Sequence, residues 1–345
     1  MCTKPHPIAK KAYLMFLNSN LGDPGLFPGS LQLEREVINE LASLLHGENC
    51  VGSLVSGGTE ANMLALLAAR NMANVKDPEV VLPKSAHFSF TKICGMLKLK
   101  PVYVDLDDSF RVDLSKVEAC IRGNTVAIVG TAGTSELGVV DPIEGLSDLA
   151  LKRDVYFHVD AAFGGLVLPF LPNGGKFDFQ LPAVKSMTVD PHKMGMAAIP
   201  TGGAIFRDTQ TIDHLKTETP YLTNRFQYTF VGTRPGASAA SAWAVFRLLG
   251  VEGFKKIVDK CMKTTRLLTN ELKAARCCLV TEPTLNIAAF RSPKGTKHLA
   301  QSLWQRGWFV SYVPRYDCIR VVVMPHVQNQ HALAFLADLR DIEKI

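Results

Sequence analysis

Several classes of protein are excluded by what the sequence does not contain. Its eight cysteines (Cys2, Cys50, Cys94, Cys120, Cys261, Cys277, Cys278 and Cys318) form no C-x-x-C pair, and no histidine cluster lies near them at zinc spacing. No metal is expected, and the thiols read as free in a reducing cytoplasm. No charged segment followed by an apolar one opens the chain, so no secretory signal is visible. The longest apolar stretch, near Ala161 to Pro172, is broken by Gly164, Gly165 and Pro169 and is too short for a membrane span. The excess of one charge over the other is also small. Lys plus Arg is 38 and Asp plus Glu 32, a net +6 with the basic residues scattered. That balance suits a small anionic ligand and gives no reason to expect nucleic acid.

What is present is ordinary globular material, 47% hydrophobic and 20% charged. The 345 residues amount to two domains at ~150 residues each. A chain of this length buries about three quarters of its unfolded surface and needs no covalent staples.

Short apolar runs alternate with helical patterns for most of the chain. Leu31 to His46 reads as an amphipathic helix. Val51 to Val55 reads as a strand, followed by a glycine turn and a helix from about Thr59 to Met72. Further buried strands are expected at Val80 to Leu82, Pro101 to Leu106, Thr125 to Gly130, Val155 to Val159 and Lys185 to Val189. Helices are expected between them, near Phe88 to Leu97, Leu114 to Arg122 and Ile143 to Arg153. This alternation implies crossover connections and a mostly parallel sheet covered on both faces. From about Pro235 the pattern changes to two long helices, Pro235 to Leu249 and Val251 to Arg276. A smaller α+β region follows, with strands at Leu285 to Phe290 and Ile319 to Val323.

Three local features carry chemistry. The turn Ser56-Gly57-Gly58-Thr59-Glu60-Ala61-Asn62 joins a strand to a helix. Its glycines let backbone N–H groups approach an anion, and the helix dipole favours negative charge there. A tight turn with a threonine cap would look the same. Neither a P-loop nor a G-x-G-x-x-G fingerprint is present. In His158-Val159-Asp160-Ala161-Ala162-Phe163-Gly164-Gly165, Asp160 ends an apolar strand, where a carboxylate needs a cationic partner or serves as a cap. In Asp190-Pro191-His192-Lys193-Met194-Gly195, Lys193 follows another strand end beside Met194, Met196 and Ala197. Partly apolar surroundings would make it a nucleophilic amine, although alone it would read as a solvated loop lysine. Together, an anion cradle, a strand-end Asp and a strand-end Lys are the parts of a pyridoxal 5′-phosphate (PLP) site. His87, in Ser85-Ala86-His87-Phe88-Ser89-Phe90, follows a strand at the same sheet edge and offers a flat ring for stacking.

The ordered set SGGTEAN, SAHFSF, GTAGTSELGVVD, HVDAAFGG and DPHKMG resembles the group II PLP-dependent amino acid decarboxylases. The archaeal L-tyrosine/L-aspartate decarboxylases are nearest in look. They share CTKPHP at Cys2 to Pro7, NLGDPGLFPG at Asn20 to Gly29 and VVVMPHV at Val321 to Val327.

The resemblance implies an α/β protein of PLP fold type I, the aspartate-aminotransferase-like fold. Its large domain would span residues 30–235, after an N-terminal segment of residues 1–29. Residues 236–345 would form a helical connection and a small C-terminal domain. Lys193 is then the Schiff-base lysine, Asp160 the partner of the pyridinium nitrogen, and His87 and Ala162 the groups on the two ring faces. Gly58, Thr59 and His192 would contact the phosphate, and Ser135 the ring hydroxyl. Thr233 would reach the phosphate of a neighbouring subunit, making the active site shared across a homodimer. Tyr221 is the implied acid that reprotonates Cα. Arg320 either binds the substrate carboxylate or belongs to an internal ion pair. Asn20, Leu26 and Phe27, with His6, would line the substrate pocket. Relatives carry a helical arm before CTKPHP, whereas here Met1 stands directly before it. Either the start is misplaced or the arm is missing, and its loss would weaken the dimer.

The implied reaction is decarboxylation of L-tyrosine to tyramine, used in methanofuran synthesis, or of L-aspartate to β-alanine, used for coenzyme A. The alternatives are another fold type I enzyme, such as a carbon–carbon lyase or an L-glutamate decarboxylase, or a non-catalytic scaffold.

Overall fold

The computed structural model describes residues 3–344; Cys2, the first residue of the CTKPHP segment, lies outside them. In chain order the first elements are α1 (Pro7–Met15), α2 (Pro28–Leu44), β1 (Val51–Val55), α3 (Gly58–Ala73), β2 (Glu79–Pro83) and α4 (Ser89–Leu97). β3 (Lys100–Val104), α5 (Leu114–Cys120), β4 (Thr125–Thr131), α6 (Ile143–Arg153), β5 (Tyr156–Asp160), β6 (Val184–Val189) and β7 (Gly202–Phe206) follow. After α7 (Thr209–Ile212) come a small hairpin of β8 (Thr217–Glu218) and β9 (Phe226–Gln227) and the long α8 (Gly236–Ala274). The chain closes with β10 (Cys278–Leu279), β11 (Ile287–Arg291), α9 (Thr296–Gln305), β12 (Ser311–Val313), β13 (Cys318–Val322) and α10 (Asn329–Glu343).

The main sheet has the order β1-β7-β6-β5-β4-β2-β3. β7 is antiparallel to both β1 and β6, while β6 through β3 are mutually parallel. Six strands therefore point one way and their C-terminal ends share one edge. β7 runs against them and starts at that edge. Its sequence, Gly-Gly-Ala-Ile-Phe, carries two glycines that depress the strand signal, which is why sequence periodicity does not show it.

Each face of the sheet buries its own apolar layer. Leu41, Ile128, Phe157 and Val159 belong to one, and Leu64, Leu82, Phe90 and Tyr156 to the other. The alternation within β5 follows from the two-residue side-chain period of a strand. Phe157 and Val159 point one way; Tyr156, His158 and Asp160 point the other, toward α3. The second sheet, β10-β11-β13-β12, is antiparallel and covers a separate core with α9 and α10. The two long helices expected before it are both present, joined end to end within α8. Gly250, at φ 55° and ψ −172°, marks the break between them.

Among the described residues no helix is long and apolar enough to cross a membrane. Several expected elements move by a residue or two at their ends, as helix and strand termini commonly do. A mostly parallel sheet followed by a small α+β region is the architecture the sequence implied; the antiparallel pairing of the small sheet is added by the structure.

The start of β7 is tightly constrained. A Cβ at Gly202 would lie 2.4 Å from Gly57 Cα and 2.8 Å from an Asp190 carboxylate oxygen. Both obstacles sit on the functional edge. Gly202→Ala should therefore cost about 1–3 kcal/mol, the usual penalty for overpacking. Gly29→Ala, in α2 with nothing within 4 Å, should cost nothing. Urea unfolding of the two variants checks this; equal midpoints would contradict it.

Candidate active site

The C-terminal ends of β1, β4, β5 and β6 meet around a cavity of about 300 Å³. Its walls include Ser56, Gly57, Gly58 and Thr59 from the turn after β1, Asn62 on α3, and His87 after β2. Thr131, Gly133 and Ser135 come from the end of β4, Asp160, Ala162 and Phe163 from β5, and Asp190, His192 and Lys193 from β6. Eight residues singled out by sequence thus share one cavity: Gly58, Thr59, His87, Ser135, Asp160, Ala162, His192 and Lys193.

Asp160 is buried, with 6% of its surface exposed. One carboxylate oxygen accepts from Asn62 Nδ2 at 2.9 Å and the other from the Ala162 N–H at 3.1 Å. Both donors are neutral. The cationic partner expected from sequence is not supplied by the described residues of this chain. Behind Asp160 lies a continuous polar cluster. Asn62 Oδ1 accepts from Thr188 Oγ1 at 2.6 Å and faces His158 Nε2 at 3.0 Å. His158 Nδ1 lies 2.8 Å from Ser186 Oγ, which accepts from Tyr156 OH at 2.8 Å. Strand register builds this cluster, because β6 places Ser186 beside His158 and Thr188 beside Asp160. Burial pushes the His158 imidazole down to about 4, so it is neutral at neutral pH.

The partly apolar surroundings expected of Lys193 are there, but they include a carboxylate that the sequence reading did not place. Lys193 Nζ lies 3.0 Å from Asp190 Oδ2, an ion pair between residues three apart in the turn after β6. Met194 and Ala197 are buried nearby, but the amine itself faces a carboxylate. Asp190 is 2% exposed and its other oxygen has no partner among the described residues. His192 gives its Nδ1 hydrogen to the Thr201 carbonyl at 2.6 Å, leaving Nε2 for the cavity, 3.7 Å from Asp190. Burial lowers the affinity of His192 for a second proton.

The anion cradle is the start of α3. Gly57 precedes it at φ +149°, a conformation in which a side chain is strained, and a Cβ there would meet His192 Cε1 at 3.2 Å. The first N–H groups of the helix have no carbonyl of their own helix to bond. Glu60 occupies the Ser56 hydroxyl and N–H, at 2.7 and 2.8 Å, so the free donors are those of the glycine and threonine positions. His87 stands at the mouth. Ser89 Oγ and N–H fix its Nδ1 at 2.9 and 3.3 Å, and burial keeps the ring uncharged despite the Asp160 charge.

Seven expected residues lie elsewhere in this chain. Tyr221 is 85% exposed at the tip of the β8–β9 hairpin. Thr233 faces a separate crevice beside Pro200 and Ser238. Asn20 spends its amide oxygen on the N–H groups of Gly22 and Arg234, at 2.7 and 3.3 Å. Phe27 caps α2, and Leu26 is 66% exposed. Arg320 stands one residue behind the wall, donating to the Ser135 carbonyl and, at 3.3 Å, to Ser311 Oγ. Those partners are neutral; among the described residues no carboxylate lies within ion-pair distance of Arg320, although the charge of Glu136 acts on it from further off. His6 caps α1 and bonds the Met196 carbonyl at 3.0 Å.

Sequence reasoning passed over Asn62, Thr188 and Asp190 as working residues. A signal existed for Asn62: it is the one polar side chain in the buried run Ala61-Asn62-Met63-Leu64-Ala65 of α3. His158 and Asp160 two residues apart on an apolar strand carry the same signal.

The His158 environment has a consequence for stability. In the unfolded chain its value is 6.5, and in the fold about 4. Between these limits the unfolded state binds more protons, so folding stability falls as pH drops from 6.5 toward 4. Denaturation midpoints measured across that window should fall in the wild type and fall less in His158→Gln. Parallel pH profiles for the two would contradict the assignment.

Comparison with known proteins supplies the family. Residues 17–292 match the model of the pyridoxal-dependent decarboxylase conserved domain. The chain is 49% identical to a probable L-tyrosine/L-aspartate decarboxylase of Methanothermobacter thermautotrophicus, covering 99% of this chain and 96% of that one. It is also 49% identical to an L-aspartate decarboxylase of Thermococcus kodakarensis, covering 100% and 91%. Among solved structures, a sphingosine-1-phosphate lyase of Burkholderia pseudomallei superimposes with TM-score 0.93 at 28% identity, covering 99% of this chain and 85% of that one. With the cavity at the strand ends and these matches over nearly its whole length, the chain belongs to the pyridoxal-dependent decarboxylases, enzymes that remove CO₂ from amino acids with pyridoxal 5′-phosphate.

Proposed function

We propose that the protein decarboxylates L-aspartate to β-alanine and L-tyrosine to tyramine, using the Asp160–Lys193 cavity. The observation that carries the site assignment is Asp160. A buried carboxylate supported only by neutral donors fits a cationic ligand atom, and an unpartnered Asp190 oxygen and free helix N–H groups line the same space. These features fit PLP. The substrate choice rests on the names of the relatives, one covering both amino acids and one L-aspartate.

Bound PLP would supply an electron sink for the carbanion left as CO₂ departs. Lys193 would hold it covalently through its amine, and Asp160 would face the ring nitrogen. His87, neutral and fixed by Ser89, would cover one ring face, with Ala162 on the other. The Gly58 and Thr59 N–H groups and His192 Nε2 would hold the phosphate, and Ser135 the ring hydroxyl. Arg320, already bonded to the Ser135 carbonyl, would anchor the substrate carboxylate.

Tyr221, Thr233, Asn20 and Phe27 lie outside the cavity of their own chain. A homodimer would bring them to the site of a second copy, with Tyr221 as the acid at Cα. Exposed Phe88, Phe230, Val231 and Ile199 provide apolar surface for such a contact. A carbon–carbon lyase is the second reading, favoured by the fold match to the sphingosine-1-phosphate lyase. The 49% identity to decarboxylases over the full chain outweighs it.

One product assay separates these readings. L-aspartate, L-tyrosine, L-glutamate and L-DOPA are offered side by side and the amines are identified. β-Alanine or tyramine should form, and Lys193→Ala should abolish both and yield a colourless protein. Absence of any amine from the PLP-loaded wild type would overturn the proposal. Mixing Lys193→Ala with Tyr221→Phe subunits should restore amine formation above that of either alone; no restoration would remove Tyr221 from a shared site.

A further inference from the structure

The cluster behind Asp160 is more ordered than a carboxylate's support requires. Every member is buried, and each polar atom facing the next lies within hydrogen-bond distance: Tyr156 to Ser186, Ser186 to His158, His158 to Asn62, and Asn62 to Asp160. The directions of the protons follow from the last member. A charged carboxylate only accepts. Asn62 must therefore turn its Nδ2 toward Asp160, which points Oδ1 at His158 Nε2. Oδ1 also accepts, so the single proton of the neutral imidazole sits on Nε2. Nδ1 is then an acceptor for the Ser186 hydroxyl, whose oxygen accepts from Tyr156. Thr188 adds a second donor to Asn62 Oδ1.

The Ser186 carbonyl, 3.1 Å from His158 Nδ1, competes for a proton on that atom. Protons on both nitrogens would make a buried imidazolium, which the apolar surroundings oppose. With one proton on Nδ1 instead, Nε2 becomes an acceptor. Asn62 would have to turn over and present its oxygen to Asp160. That pattern closes only if Asp160 carries a proton. The cluster thus has two complete hydrogen patterns, one for each state of Asp160.

We propose that Asn62 and His158 are positioning residues, and that the one-way donor chain from Tyr156 through Ser186, His158 and Asn62 holds Asp160 in its charged form, so that a proton shared with the cofactor's ring nitrogen stays on the nitrogen. Successive hydrogen bonds in a chain polarise one another, and here every donor points toward the carboxylate. The inference rests on the PLP reading above, since the ring nitrogen is what Asp160 would face. Within that reading the electron-withdrawing power of the ring depends on residues that never touch it. Tyr156 OH lies four hydrogen bonds from the Asp160 carboxylate along the chain.

The test is nitrogen NMR, in two stages. In the cofactor-free protein, ¹⁵N shifts of His158 should show a neutral ring with its proton on Nε2; a proton on Nδ1 would overturn the donor direction. The holoenzyme is then made with PLP labelled at the ring nitrogen. Wild type should show the protonated-pyridinium shift. Asn62→Leu, similar in volume, should move it toward neutral pyridine and lower kcat at least tenfold with KM within twofold. Thr188→Val, which removes one hydroxyl and keeps the shape, should move it in the same direction by less, and it decides the matter if Asn62→Leu does not fold. An unprotonated nitrogen in the wild type, or a pyridinium shift unchanged in the variant that decides, would overturn the inference. Failure of the wild type to take up PLP would instead overturn the cofactor reading.

Discussion

A single buried negative charge organises the functional edge of this protein. Asp160 closes β5 at a depth where an unpaired carboxylate is costly, and the described residues offer it only neutral donors. The arrangement is therefore incomplete as a piece of structure and complete as a half-site. β5 delivers the carboxylate, α3 delivers Asn62 against it, and β6 delivers Ser186 and Thr188 behind it through strand register. The same α3 begins at the anion cradle, so one helix ties the two ends of the cavity together. Any shift of α3 along the sheet would disturb both.

The second charge system is separate. Lys193 pairs with Asp190, and Asp190 has an oxygen to spare in the same cavity. Within one space there are thus a carboxylate lacking a cation and an amine held by a different carboxylate. That separation suits a ligand that bridges them, with a basic ring atom at one end and a carbonyl carbon within reach of the amine. β7 contributes by its reversed direction, which brings Gly202 to the same edge and lets the backbone at Gly57 pack flush against it.

Much of this was legible in the order of residues. Strand ends followed by Ser56-Gly57-Gly58-Thr59, by Asp160 and by Asp190-Pro191-His192-Lys193 predict a common edge, because parallel strands put their ends together. What periodicity could not reveal is whatever depends on register or on a second copy. Ser186 reads as a small residue in a strand until its pairing with His158 is seen. Asp190 reads as the first residue of a turn until its side chain is found against Lys193. β7 is hidden by its own glycines. Tyr221, Thr233, Asn20 and Phe27 were placed by resemblance alone, and no local feature says which copy of the cavity they would serve. Arg320 read as an intrusive charge in an apolar strand, and the structure gives it neutral partners at the cavity's rear wall.

Asp160 and Lys193 are, on the proposed function, opposite ends of one cofactor site. A crystal structure of the protein grown with pyridoxal 5′-phosphate tests this most directly. The expected result is continuous density from Lys193 Nζ into the cofactor, the ring nitrogen within hydrogen-bond distance of the Asp160 carboxylate, and the phosphate at the start of α3. Cofactor joined to a different lysine, or a ring nitrogen turned away from Asp160, would contradict it.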